Sequence, residues 1–113
     1  ASADYNHDNK IDLAIANYLE NTVSVLFGSG DGTFQTSTSI AVGGGPYNVA
    51  SGDTNKDNKP DLVVANTVSN ALYIFLNTCW TTKGDVHFLS SSITFLSLEI
   101  ILIVENYLFI PSY

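Results

Sequence analysis

Asp53-Thr54-Asn55-Lys56-Asp57-Asn58-Lys59-Pro60-Asp61 carries oxygen-bearing side chains at alternate positions 53, 55 and 57 and again at 61, and it runs straight into the apolar Leu62-Val63-Val64-Ala65. It reads as a metal loop feeding a strand. The same pattern stands 49 residues earlier as Asp4-Tyr5-Asn6-His7-Asp8-Asn9-Lys10-Ile11-Asp12, followed by Leu13-Ala14-Ile15-Ala16. A repeat fixes the architecture before any local assignment does. At this offset Ala50-Ser51-Gly52-Asp53 falls on Ala1-Ser2-Ala3-Asp4, Asn66 on Asn17 and Asn70 on Asn21. Two copies of one module are present, and the first starts partway through. Its front half has a counterpart only in the second copy, at Gly45-Pro46-Tyr47-Asn48-Val49, so the chain reads as a piece of a longer array.

Turn chemistry and apolar content predict four extended segments per module. The first is residues 47–51. The second follows each loop, at 13–16 and 62–65, as short apolar runs suited to a strand covered on both faces. The third, at 22–27 and 71–76, is rich in β-branched and aromatic residues and has no helical stripe. Gly28-Ser29-Gly30-Asp31-Gly32 then offers positions that tolerate positive φ, and Thr33-Phe34 resumes an extended chain toward Ile40-Ala41-Val42, which makes a hairpin. Gly43-Gly44-Gly45-Pro46 turns the chain into the next module, where Pro46 excludes a helix or a central ladder position. An all-β, antiparallel fold is the expectation.

This pattern resembles the FG-GAP repeats, also called VCBS repeats, of integrin-like β-propellers. The residues that carry the likeness are the two Asp-x-Asn-x-Asp-x-Lys-x-Asp-Leu loops, Phe27-Gly28 with Asp31-Gly32-Thr33-Phe34, and Gly44-Gly45-Pro46. It covers roughly residues 1–77. The resemblance implies four-stranded propeller blades around a central axis, with calcium held between a blade's first and second strands. Closing such a ring takes about four to eight blades, so an incomplete propeller is expected. Residues 1–46 would be a partial repeat without its first strand. Residues 47–77 would be a second repeat whose last strand is missing or replaced, and 78–113 an irregular apolar tail outside the repeat.

Calcium takes about six to eight oxygen ligands in flexible geometry, and loop positions 1, 3 and 5 give side chains while position 7 gives a carbonyl. In the first loop Asp4, Asn6 and Asp8 fill the side-chain positions, Lys10 the carbonyl, and Asp12 the carboxylate at position 9. Asp53, Asn55, Asp57, Lys59 and Asp61 fill them in the second. Asn9 and Asn58 stand at position 6, where the turn calls for a left-handed residue. A helical calcium hand is excluded, because its bidentate Glu at position 12 is replaced by Ile15 and Val64, and Pro60 keeps Lys59 extended. Polar Asx turns are the alternative, against which stands the recurrence of the ligand phase in both copies. A flexible all-protein oxygen cage suits calcium over magnesium. Three carboxylates brought together repel, so Ca2+ would act as a structural staple. Only the second loop has its preceding strand in the sequence, which makes it the more complete site.

The net charge of −7, with four basic residues, argues against nucleic acid and anionic membrane surfaces as partners. Six of the eleven acids lie in the two loops, which points to cations instead. Cys79 is the sole cysteine, so no intrachain disulfide or zinc thiolate cluster is available. No signal peptide is visible. His7 sits at loop position 4 and His87 in the tail, and no nucleophile, base and orienter can be assembled, so no enzyme activity is expected. The glycine stretches lack the Lys-Ser/Thr of a phosphate cradle. Tyr5, Tyr18, Tyr47 and Tyr73 are either strand packing or a binding face.

Residues 86–110 become strongly apolar after the period is lost at Asn77. Three readings stand: buried strands or a helix completing the core, a membrane span opposed by Glu99 and Glu105, or sequence foreign to the repeat. For the whole chain, the resemblance implies an extracellular or cell-surface module in adhesion or in protein or carbohydrate recognition. The alternatives are an accessory propeller domain of a larger secreted enzyme and a purely structural repeat.

Overall fold

The computed structural model describes residues 1–35, 38–78 and the backbone of 88–91. All regular structure among them is strand, as the alternation of apolar runs with Gly and Asn turns requires. The first module holds β1 (Ser2–Ala3), β2 (Asp12–Asn17), β3 (Thr22–Gly28), β4 (Phe34–Gln35) and β5 (Ser39–Ala41). In the second are β6 (Pro46–Gly52), β7 (Asp61–Asn66), β8 (Ala71–Asn77) and β9 (Phe88–Ser91). Every pairing is antiparallel.

Each module is one sheet in chain order. β1 pairs β2, β2 pairs β3, and β3 is flanked by β4 along its end and β5 along its start. β4 and β5 serve as one interrupted fourth strand, and the register moves by one residue between them. The second sheet runs β6-β7-β8-β9. One departure from the expected modules is visible. The first module retains two residues of a first strand, with Ser2 opposite Leu13 and Ala3 opposite Asp12. In the second module the fourth position is held by Phe88–Ser91, which pairs with the end of β8 although the glycine-rich hairpin is absent from its sequence. The remaining expectations for 86–110 lie outside the described residues, among which no helix is long and apolar enough to cross a membrane.

The hairpin turns are built on left-handed asparagines. Asn21 and Asn70 have φ of 56° and 49°, a conformation that Asn adopts more readily than other non-glycine residues. Asn21 also ties the modules together, because its Oδ1 accepts the Gly45 N–H at 2.9 Å and its carbonyl accepts the Val42 N–H at 3.1 Å. Gly45, at φ 66°, lies so close to Val68 that a Cβ would fall 2.5 Å from its Cγ2. Pro46 opens β6 at a register shift, where its missing N–H costs least.

The core sits between the two sheets. Ala14, Val23 and Val25 of the first pack with Val49, Leu62, Val64 and Phe75 of the second in one buried cluster that includes Tyr5. Fully burying such side chains contributes about 1.5–3 kcal/mol each. Expected coverage on both faces holds for β7, buried along its whole length, but not for β2. Ile15 is 41% exposed. At the repeat offset, Leu62, Val64 and Phe75 correspond to Leu13, Ile15 and Leu26. The former set packs on the neighbouring sheet, and the latter lies on the face of the first sheet turned away from it. Position in the array, not local sequence, decides which apolar face is covered.

Candidate metal centre

Each acidic loop links the first strand of its module to the second, and the two are folded by the same side-chain hydrogen bonds. In the first, Asp4 accepts the N–H of Asp8 at 3.1 Å on one carboxylate oxygen and that of Asn9 at 2.8 Å on the other. Asp8 accepts the Lys10 N–H at 2.9 Å, and Asn6 Nδ2 lies 3.3 Å from Asp8 Oδ2. In the second, Asp53 accepts from Asp57 at 3.0 Å and Asn58 at 2.8 Å, Asp57 from Lys59 at 3.0 Å, and Asn55 Nδ2 lies 3.1 Å from Asp57 Oδ2. Positions 1, 3 and 5 therefore converge twice.

The backbone explains why small polar residues recur here. Asn9 and Asn58, at position 6, both have φ of 62°. His7 and Lys56, at position 4, are also left-handed, at 58° and 61°, which no residue preference at those positions announces. Two such residues per loop cost about 1–2 kcal/mol each, offset by the carboxylate-to-amide bonds that hold the turn.

Asp12 and Asp61, at position 9, have different hydrogen-bond partners from that group. Both are fully buried. Asp12 accepts the Tyr5 N–H at 2.8 Å on one oxygen and the Gly28 N–H at 2.9 Å on the other. Asp61 accepts the N–H and hydroxyl of Thr54 at 2.8 and 2.6 Å, and the Asn77 N–H at 2.9 Å. Each thereby ties the start of its loop to the end of the third strand, an anchoring role that spacing alone did not reveal. The close approach is why residue 28 is glycine: a Cβ there would lie 2.0 Å from the Ile11 carbonyl oxygen. Burial pushes the Asp12 carboxyl above the usual carboxylate range against these bonds, and the charges of Asp8 and Asp4 push the same way.

The loops differ in exposure. Asn6 is buried and Asp4 and Asp8 are half-buried, whereas Asp53, Asn55 and Asp57 are exposed. The first loop is thus the more enclosed, although the second has the longer preceding strand, because Tyr5 is drawn fully into the core and its hydroxyl bonds Ser51 Oγ. His7 is exposed.

Among the described residues no three His, Cys, Asp or Glu side chains are grouped so as to hold a metal ion by themselves. The donor set nevertheless has the chemistry of a hard cation's ligands: two carboxylates, an amide oxygen and a main-chain carbonyl per loop, all oxygen. Asp4, Asn6, Asp8 and the Lys10 carbonyl would hold an ion in the first loop, and Asp53, Asn55, Asp57 and the Lys59 carbonyl in the second. Asp12 and Asp61, the expected position 9 carboxylates, accept backbone amides from the loop and from the third strand, and Asp61 accepts the Thr54 hydroxyl as well.

The four tyrosines of the repeat region, Tyr5, Tyr18, Tyr47 and Tyr73, divide. Tyr5 is buried, and Tyr73 stacks with Phe75 at a centroid distance of 6.3 Å. Tyr18 and Tyr47, 47% and 66% exposed, line with Ala16, Pro46 and Thr67 a cleft of about 440 Å3 at the strand ends opposite the acidic loops.

A family model described as FG-GAP-like repeat matches residues 4–64, from the first acidic loop into β7. Neither the curated proteins nor the solved structures contain a match to the chain. The match takes in both acidic loops, the hairpin and the junction between the sheets, and the chain is a β-propeller-type repeat module that belongs to the FG-GAP-like repeat family.

Proposed function

We propose that this chain is a calcium-stabilised module of an extracellular recognition or adhesion protein. The observation that carries the reading is the duplicated loop, in which Asp, Asn and Asp at positions 1, 3 and 5 are gathered by matching hydrogen bonds 49 residues apart. Carboxylates held this close repel, and a bound cation removes that repulsion. Calcium, which tolerates irregular oxygen cages, is the ion of choice. It serves a structural role: it fixes the loop between first and second strands and so stabilises the sheet by mass action.

The module is non-enzymatic and contributes a surface to a larger assembly. The exposed Tyr18 and Tyr47 beside the cleft support protein or carbohydrate recognition, since tyrosine offers an apolar ring with a polar tip at low entropic cost. Isothermal titration of the chain with calcium, alongside Asp8→Ala and Asp57→Ala, tests the cation role. Each substitution is expected to abolish binding at its own loop and the corresponding rise in Tm. A Tm unchanged between calcium and chelator, with no heat of binding, refutes the reading.

A further inference from the structure

We propose that the two acidic loops form one mechanical unit, clamped through Tyr5 and Asn77, so that disorder in one loop is transmitted to the other. The path is continuous in hydrogen bonds. Asp12 holds the Tyr5 N–H at 2.8 Å, and the Tyr5 carbonyl accepts from Asn77 Nδ2 at 2.9 Å across 72 residues of sequence. Asn77 in turn donates its own N–H to Asp61 at 2.9 Å, and Asp61 holds Thr54 at the start of the second loop. A parallel link joins the Tyr5 hydroxyl to Ser51 Oγ, two residues before Asp53.

Burial makes these links stiff. Tyr5, Asp12 and Asp61 are fully buried and Asn77 is 1% exposed, so water cannot replace a broken bond among these four without opening the junction, whereas the outer link to the exposed Thr54 faces solvent. The clamp belongs to this junction rather than to the repeat. Gly28 occupies the place of Asn77 in the first module and has no side chain to reach across. Asn77 thus combines the repeat's own bond, N–H to the buried Asp, with one that only this chain's second module can make.

The clamp stands on the hydrogen bonds alone. On the calcium reading above, it would also make loading of one loop favour loading of the other. The test is therefore run without calcium, by amide hydrogen exchange of the full chain in chelator. Asp4→Ala, which strips the acceptor from the Asp8 and Asn9 amides, is expected to speed exchange at Thr54, Asp57 and Asn58 by about fivefold, the low end of measured site–site coupling. In a Tyr5→Phe/Asn77→Gly background that acceleration should vanish, while amides of the β7–β8 ladder stay protected throughout. Unchanged exchange in the second loop, full acceleration in the unclamped background, or equal acceleration along the ladder each overturns the clamp. If Asn77→Gly does not fold, Tyr5→Phe alone must reduce the transmitted effect; no reduction overturns it equally. Calcium titration of the same variants reports separately on the cation, and its failure leaves the exchange result standing.

Discussion

Asp61→Ala should be among the most damaging single substitutions in the chain. The carboxylate is 0% exposed and accepts three hydrogen bonds, two from Thr54 and one from Asn77. Its loss removes a buried hydrogen bond from the Asn77 N–H to a charged acceptor, at about 2–3 kcal/mol. Thr54 is exposed, so water can replace much of its share and the loss there is about 0.5–1 kcal/mol. Relief of the carboxylate's own desolvation offsets part of this. A net loss of about 3 kcal/mol follows, against a total of about 5–15 kcal/mol for a domain. Urea unfolding followed by circular dichroism measures it, with an unchanged slope showing that stability rather than compactness has moved. Thr54→Ala, which removes only the 2.6 Å hydroxyl bond, serves as the partner in a double-mutant cycle and should show a coupling of about 0.5 kcal/mol with Asp61→Ala. A loss below about 0.5 kcal/mol for Asp61→Ala, the scale of an ordinary surface change, refutes the anchoring role.

Two further outcomes are expected. Burial pushes the Tyr5 hydroxyl up from 10 to about 12, Asp12 adding to the shift and the Ser51 bond opposing it. A raised folded value means that the contribution is complete below pH 10 and is lost as pH rises through 12, about 2–3 kcal/mol in all. Ultraviolet titration should show one tyrosine ionising late that is missing in Tyr5→Phe, and that variant should lose less stability over the same range. Gly28→Ala forces a Cβ to within 2.0 Å of the Ile11 carbonyl oxygen, so β3 or the loop must shift at a cost of about 1–3 kcal/mol. A thermal melt indistinguishable from wild type would show that the approach is not rigid.

The module, its strands and the phase of its loops are legible in the residues alone. These are local properties: a strand follows from a run of β-branched residues, and the left-handed turn at Asn9 and Asn58 from what an asparagine backbone tolerates. The convergence of Asp4, Asn6 and Asp8 follows from their spacing for the same reason, since all the bonds that gather them span five residues or fewer. Tertiary structure decided the rest. Asp12 and Asp61 look like further loop acids until strands 16 residues onward bring Gly28 and Asn77 against them. Leu13 and Leu62 occupy the same repeat position, yet only Leu62 is fully buried, because the second sheet packs on the first with one face of each. Tyr5 and Tyr47 are both tyrosines in repeat sequence, and one is 0% exposed while the other is 66% exposed. Backbone preference acts over a few residues and can be read from them. Burial depends on what arrives from the far end of the chain, and Asn77 reaching the Tyr5 carbonyl is the bond that no stretch of sequence contains.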